Sequence, residues 1–101
     1  MEKWKWNLLT SSVSVTDRQL TNDITFIKTI ILEHEDTATY VKIYDEASGG
    51  TTKEFMTIHN STKKLNVPIV FDNPAQLENG CYIVPEAGQA DIKVWIQYRE
   101  G

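Results

Sequence analysis

Turn-forming clusters punctuate this chain so regularly that only short extended runs fit between them. They lie at Thr21-Asn22-Asp23, Glu35-Asp36-Thr37, Ser48-Gly49-Gly50, Asn60-Ser61-Thr62, Asp72-Asn73-Pro74, Glu78-Asn79-Gly80 and Glu86-Ala87-Gly88. A recurrence of roughly 8–14 residues is the rhythm of a β-sandwich or barrel. The runs between the clusters are rich in Val, Ile, Thr, Tyr and Phe, which fit a pleated and half-buried surface.

Period-two alternation supports the same reading. Ile92, Val94, Ile96 and Tyr98 alternate with Lys93, Trp95, Gln97 and Arg99, the pattern of a strand with one buried and one wet face. Val41 and Ile43 alternate with Tyr40, Lys42 and Tyr44; Cys81 and Ile83 alternate with Tyr82 and Val84. Near the start, Trp4, Trp6 and Leu8 alternate with Lys3, Lys5 and Asn7.

The run Ile24 to Glu33 is ambiguous. Ile24, Phe26, Ile30 and Leu32 share one parity, Ile27 and Ile31 the other, and a helix would also accept that spacing. Its heavy β-branching favours a strand covered on both faces. Pro68, Pro74 and Pro85 fall at run edges or in turns, where a missing donor does little harm. Seven or eight strands follow. Parallel pairing would need long crossovers, for which there is no room. The expected fold is therefore all-β, a single antiparallel β-sandwich domain over residues 1–101, with a jelly roll as one form of it.

Bulk composition bounds the function. At 101 residues, 41% hydrophobic and 24% charged, the chain has the makeup of one globular domain. A net charge of −4 argues against an electrostatic grip on nucleic acid or on an anionic membrane. The charges are interspersed apart from Glu33–Asp36 and Lys63-Lys64. No apolar run approaches the roughly 20 residues of a membrane helix. The lone Cys81 and the lack of a signal-like stretch at Met1–Leu9 suit a protein made in a cytoplasm.

Candidates for chemistry are sparse. His34, in Glu33-His34-Glu35-Asp36, offers one nitrogen beside carboxylates, whereas zinc wants three or four ligands dominated by nitrogen or sulfur. His59 shares a parity with Phe55 and Thr57 and reads as a half-buried structural histidine. Cys81 reads as a small buried hydrophobe at a strand start, with no local base to activate it. Asp45, Glu46, Asp72, Glu78 and Glu86 lie at turns, where carboxylates are expected without catalysis. Gly49-Gly50 is a hairpin signal; no Gly-Lys-Ser/Thr follows it as a phosphate loop would require. No catalytic residue, cofactor or metal site is expected.

The aromatic side chains are more informative. Trp95 falls among the polar residues of the last strand, and Tyr40 and Tyr44 fall opposite Val41 and Ile43. With Tyr82, Trp4 and Trp6 they form the candidate set for an interface or a ligand surface. Trp4 and Trp6, interleaved with lysines, would either dock a neighbouring subunit or be core of the first strand.

Three segments resemble small virion structural proteins of tailed phages. Tyr40-Val41-Lys42-Ile43-Tyr44-Asp45-Glu46-Ala47-Ser48-Gly49-Gly50-Thr51 is similar to their strand, Tyr-Asp and Gly-Gly turn. Val67-Pro68-Ile69-Val70-Phe71-Asp72-Asn73 followed by Glu78-Asn79-Gly80-Cys81-Tyr82-Ile83 resembles one of their hairpins, with Asn73–Glu78 as a longer loop. Ala90-Asp91-Ile92-Lys93-Val94-Trp95-Ile96-Gln97-Tyr98 resembles their terminal strand. The resemblance implies a non-enzymatic capsid-decoration, head-fibre or tail-associated protein in the virion. Its partners would be other virion proteins and itself, in symmetric oligomers such as a homotrimer. A carbohydrate-binding sandwich that stacks glycans on exposed aromatics is the second expectation.

Overall fold

The computed structural model describes residues 3–10, 17–34, 39–60, 65–86 and 92–101. The turn clusters Glu35-Asp36-Thr37, Ser61-Thr62 and Ala87-Gly88, the Lys63-Lys64 pair and Ala90-Asp91 lie outside the described residues.

The described residues form eight strands: β1 (Lys5–Thr10), β2 (Arg18–Thr21), β3 (Thr25–His34), β4 (Thr39–Tyr44), β5 (Glu54–Asn60), β6 (Leu65–Leu77), β7 (Cys81–Pro85) and β8 (Lys93–Glu100). They make two four-stranded sheets, in the orders β1-β8-β3-β6 and β2-β7-β4-β5. Every pairing is antiparallel. The pairs β1–β8, β2–β7, β3–β6 and β4–β5 are those of one long hairpin, β1–β4 against β5–β8, rolled over two layers. That winding is the eight-stranded jelly roll.

The core lies between the sheets. Ile27, Ile30 and Leu32 of β3 meet Val94 and Ile96 of β8 and Ile92 just before it. From the other sheet come Val41 and Ile43, Ile58, and Cys81 and Ile83. The alternation read along β7 and β8 holds, because these are interior strands with one face inward. Along β4 it holds from Thr39 to Ile43 and breaks at Tyr44, which is buried although expected opposite Ile43.

The ambiguity of Ile24 to Glu33 has a local cause. The segment is a strand, and Thr25, Ile27, Ile30 and Leu32 are all buried. Between Ile27 and Thr29 the pairing with β8 advances only from Tyr98 to Gln97. Lys28 is thus an inserted residue, and the bulge switches which parity faces the core. Against β6 the register jumps from Ala75 to Val70, so Phe71–Pro74 bulge out of the ladder.

That bulge corrects two expectations. Asp72-Asn73-Pro74 is not a chain reversal but part of β6, an edge strand that tolerates proline. Val67–Asn73 and Cys81–Ile83 are not a hairpin either, because β6 and β7 belong to different sheets. The turn Glu78-Asn79-Gly80 carries the chain from one layer to the other. The Gly49-Gly50 signal does close a hairpin, between β4 and β5.

Another bulge lies in β5, between the pairs Ile43–Met56 and Tyr44–Glu54. It turns Phe55 toward the core, where its ring lies 6.1 Å from that of Phe71. These two bulged edge strands close one side of the sandwich. Phe55 therefore does not share a face with His59, and His59 is exposed rather than half-buried.

One end of the sandwich is fastened by side chains. Gln19 Nε2 lies 2.6 Å from Thr21 O, 2.7 Å from Glu46 O and 3.3 Å from Cys81 O, and its Oε1 accepts from Gly49 N. Asp45 accepts from Glu78 N and Asn79 N, and Glu46 from Thr52 N and Lys53 N. A buried relay runs from Cys81 N to Thr21 Oγ1, on to Thr25 Oγ1 and then to Asp23 O. Thr25 spends its proton on the Asp23 carbonyl, so Thr21 must be the donor between the two hydroxyls.

Candidate assembly interface

Register alone assembles the outer face of the β1-β8-β3-β6 sheet. Trp6 pairs with Gln97, Gln97 with Thr29 and Thr29 with Val70, one row across all four strands. The next row is Leu8, Trp95, Ile31 and Pro68. On one side of these two rows lie Arg99, Phe26 and Gln76; on the other lie Lys93 and Glu33. The middle of the face is thus mostly apolar and its two ends are polar.

Exposure makes this face unusual. Trp6 is 53% and Val70 64% exposed. Trp6, Ile31, Glu33 and Trp95 line an open groove of about 480 Å³. Scattered apolar side chains on a surface need no explanation, whereas contiguous apolar patches are a common feature of interaction sites, which makes this face the candidate.

Of the two readings for the first strand, the core one is overturned. Asn7 and Leu9 point inward, Leu9 into the core, while Trp6 and Leu8 face out. Asn7 Oδ1 accepts from Arg18 Nη1 at 3.0 Å, which ties β1 to β2 across the sandwich edge. Trp4 lies at the charged end of the outer face, with Arg99 5.4 Å and Lys28 5.5 Å from its ring centre. Arg99 also sits 4.0 Å over Phe26. These cation–π contacts hold that end in place.

The other candidate aromatics are on the opposite side of the molecule. Tyr40 tilts against His59 at 6.2 Å, with Lys42 5.7 Å from its ring centre. Lys42 also reaches Glu54 at 4.0 Å. Tyr44 is almost wholly buried, 6.5 Å from Tyr82. Tyr82 Oη donates to Asp17, and partial burial followed by that carboxylate pushes its phenol above the usual range. The six aromatics therefore form two groups: Trp4, Trp6 and Trp95 on one sheet, Tyr40, Tyr44 and Tyr82 on the other.

Burial, reinforced by the charge of Asp45, pushes the Cys81 thiol up to about 12. It faces the core and His59 faces solvent, so the two do not meet. Glu46 is held below the usual carboxylate range, chiefly by the Thr52 hydroxyl. It and Asp45 hold loop amides, which is a structural employment. Among the described residues no group of three or more His, Cys, Asp or Glu could hold a metal ion. The His34 side chain, with Glu35 and Asp36, lies outside them. Among the described residues no helix is long and apolar enough to cross a membrane.

Ile31, Val70 and Pro68 were missed as surface residues by reading the sequence, whereas Leu8 belongs to the Trp4–Leu8 strand expected to contact a neighbour. Ile31 was hidden by the bulge at Lys28, since parity counted from Ile24 breaks there. The signal for Val70 was weak: an apolar residue on the strand before a proline-containing bulge. No protein-family model, no curated protein and no solved structure matches this chain.

Proposed function

We propose that this chain is a non-enzymatic structural protein of a bacteriophage particle, a capsid-decoration or head/tail-associated subunit that assembles through its sandwich face. The observation that carries the reading is the outer face centred on Trp6, Trp95, Ile31 and Val70, mostly apolar through its middle rows and free of any covering layer among the described residues. A soluble monomer gains nothing from such a face, whereas an assembling subunit buries it. The resemblance in Tyr40–Thr51 and Ala90–Tyr98 supplies the virion context. The jelly roll agrees with it by analogy of fold, since capsid and lectin domains both use this architecture.

Native mass spectrometry and protein analysis of purified particles test the proposal. It expects an assembled species and recovery in the particle, with a folded Trp6→Lys variant lost from both. A clean monomer that is also absent from particles would sink it.

The groove favours a second reading. Two tryptophans, with Glu33 and Gln97 as hydrogen-bonding groups beside them, could stack and orient a sugar. That reading requires wild-type binding on a glycan array and its loss in a folded Trp95→Ala variant. Absence of binding to any glycan removes it.

A further inference from the structure

We infer that the outer face of the β1-β8-β3-β6 sheet docks a second copy of this chain, about a twofold axis that runs parallel to the strands between β8 and β3. This inference rests on the assembly reading above and names its partner.

Two sheets that meet by the same face must be related by an axis lying between them. An axis parallel to the strands exchanges β8 with β3 and β1 with β6 and leaves each row in place. Lys93 then faces the partner's Glu33, Trp95 faces Ile31, Gln97 faces Thr29, and Arg99 faces Phe26. On the outer strands Trp6 faces Val70 and Leu8 faces Pro68. Charge meets opposite charge at Lys93 and Glu33, apolar meets apolar in Trp95–Ile31, Trp6–Val70 and Leu8–Pro68, and amide meets hydroxyl at Gln97 and Thr29, while Arg99 meets the Phe26 ring as a cation on an aromatic face. An axis across the strands does the reverse. It sets Lys93 over the partner's Arg99, like charge on like, and Glu33 over Phe26.

Two further observations support the first arrangement. Glu33 and Lys93 are register partners in neighbouring strands, yet no ion pair joins them among the described residues, so both charges remain available to the partner. The footprint is also sufficient. Four strands about 4.8 Å apart and four rows about 6.8 Å apart make a face of roughly 500 Å². Two such faces bury about 1,000 Å² in projection, the lower bound for a specific interface, and side-chain relief adds to it. Stacked sheets stay within about 30° of one another, an offset that the long Lys93 side chain can span.

Charge reversal tests the geometry. Sedimentation of the full chain should show a wild-type dimer at micromolar concentration. Lys93→Glu alone and Glu33→Lys alone each place like charges at both symmetric contacts, and each should weaken the dimer by about tenfold. An equimolar mixture of the two variants pairs every negative site with a positive one and should restore association as a heterodimer. Both sites are at the edge of the face, and unchanged circular dichroism and melting verify that each variant is folded. A wild-type trimer, or variants that fail to rescue each other, would overturn the inference. So would a wild-type monomer; if that monomer still enters particles through Trp6, the assembly reading survives with a different partner on this face.

Discussion

Among the described glycines Gly80 is the one packed tightly against backbone on both sides, and replacing it with alanine should be among the most damaging single changes. Its φ is +147°, a region that side chains rarely adopt. A Cβ there would lie 2.6 Å from Thr21 O and 2.8 Å from Glu46 O. Both atoms are backbone, so relief requires the β2–β3 and β4–β5 connections to move. Both carbonyls also accept from Gln19 Nε2, so the movement loosens the fastening of that end. Backbone strain of this kind costs about 1–3 kcal/mol. Overpacking adds about 1–3 kcal/mol, and two weakened hydrogen bonds add about 1 kcal/mol each. A loss of at least about 4 kcal/mol, the sum of the lower ends of these ranges, is expected, a large part of the roughly 5–15 kcal/mol that holds a domain together. It corresponds to a fall in Tm of roughly 20 °C for a chain of this size.

Urea unfolding followed by tryptophan fluorescence measures this loss, with an unchanged m-value verifying that the reference states are the same. Gly49→Ala is the control. Gly49 also has positive φ, at +72°, but a Cβ there meets only the Tyr82 ring at ordinary distance, 3.7 Å or more. It should cost about 1–2 kcal/mol, the left-handed penalty alone. A Gly80→Ala loss no larger than that of Gly49→Ala would refute the argument that this end is clamped around Gly80.

Two other outcomes follow from the same region. Thr21→Val removes the acceptor for the buried Cys81 N–H and the donor to Thr25, and equilibrium unfolding should record a loss of about 2 kcal/mol. The Cys81 thiol stays neutral in the fold up to about 12, against 9.0 when unfolded. The unfolded chain therefore sheds this proton first, and stability falls as pH rises from 9 toward 12, by up to about 4 kcal/mol. Unfolding of the wild type should steepen with pH in that window relative to Cys81→Ala, and native protein should resist alkylation at neutral pH; parallel curves, or rapid alkylation, would contradict the burial argument.

The fold class was legible in the sequence because long stretches of three interior strands, β4, β7 and β8, keep period-two alternation. Val41 and Ile43, Cys81 and Ile83, and Val94 and Ile96 each announce one inward face. Bulges hid the rest. Lys28 shifts the parity of β3, Phe55 turns inward out of step with Thr57 and His59, and Phe71–Pro74 turn an expected reversal into an edge-strand detour. Nothing local distinguishes an extra residue in a ladder from an ordinary step, so Ile31 and Val70 could not be assigned to the surface. The first strand left two readings open, docking and core. Its apolar parity, Trp4, Trp6 and Leu8, faces outward, and among its described side chains Leu9 is the one in the buried core. Trp95 was legible as a surface aromatic because it stands among Lys93, Gln97 and Arg99.

Hydroxyl-radical footprinting across the association range tests most directly whether this sheet face is the one that assembles. Oxidation of Trp6 and Val70 should fall several-fold as the protein associates, while Tyr40 and His59, on the opposite sheet, should react equally at every concentration. Protection of Tyr40 and His59 instead, or an unchanged rate at Trp6 and Val70 in a demonstrably associated sample, would contradict the account.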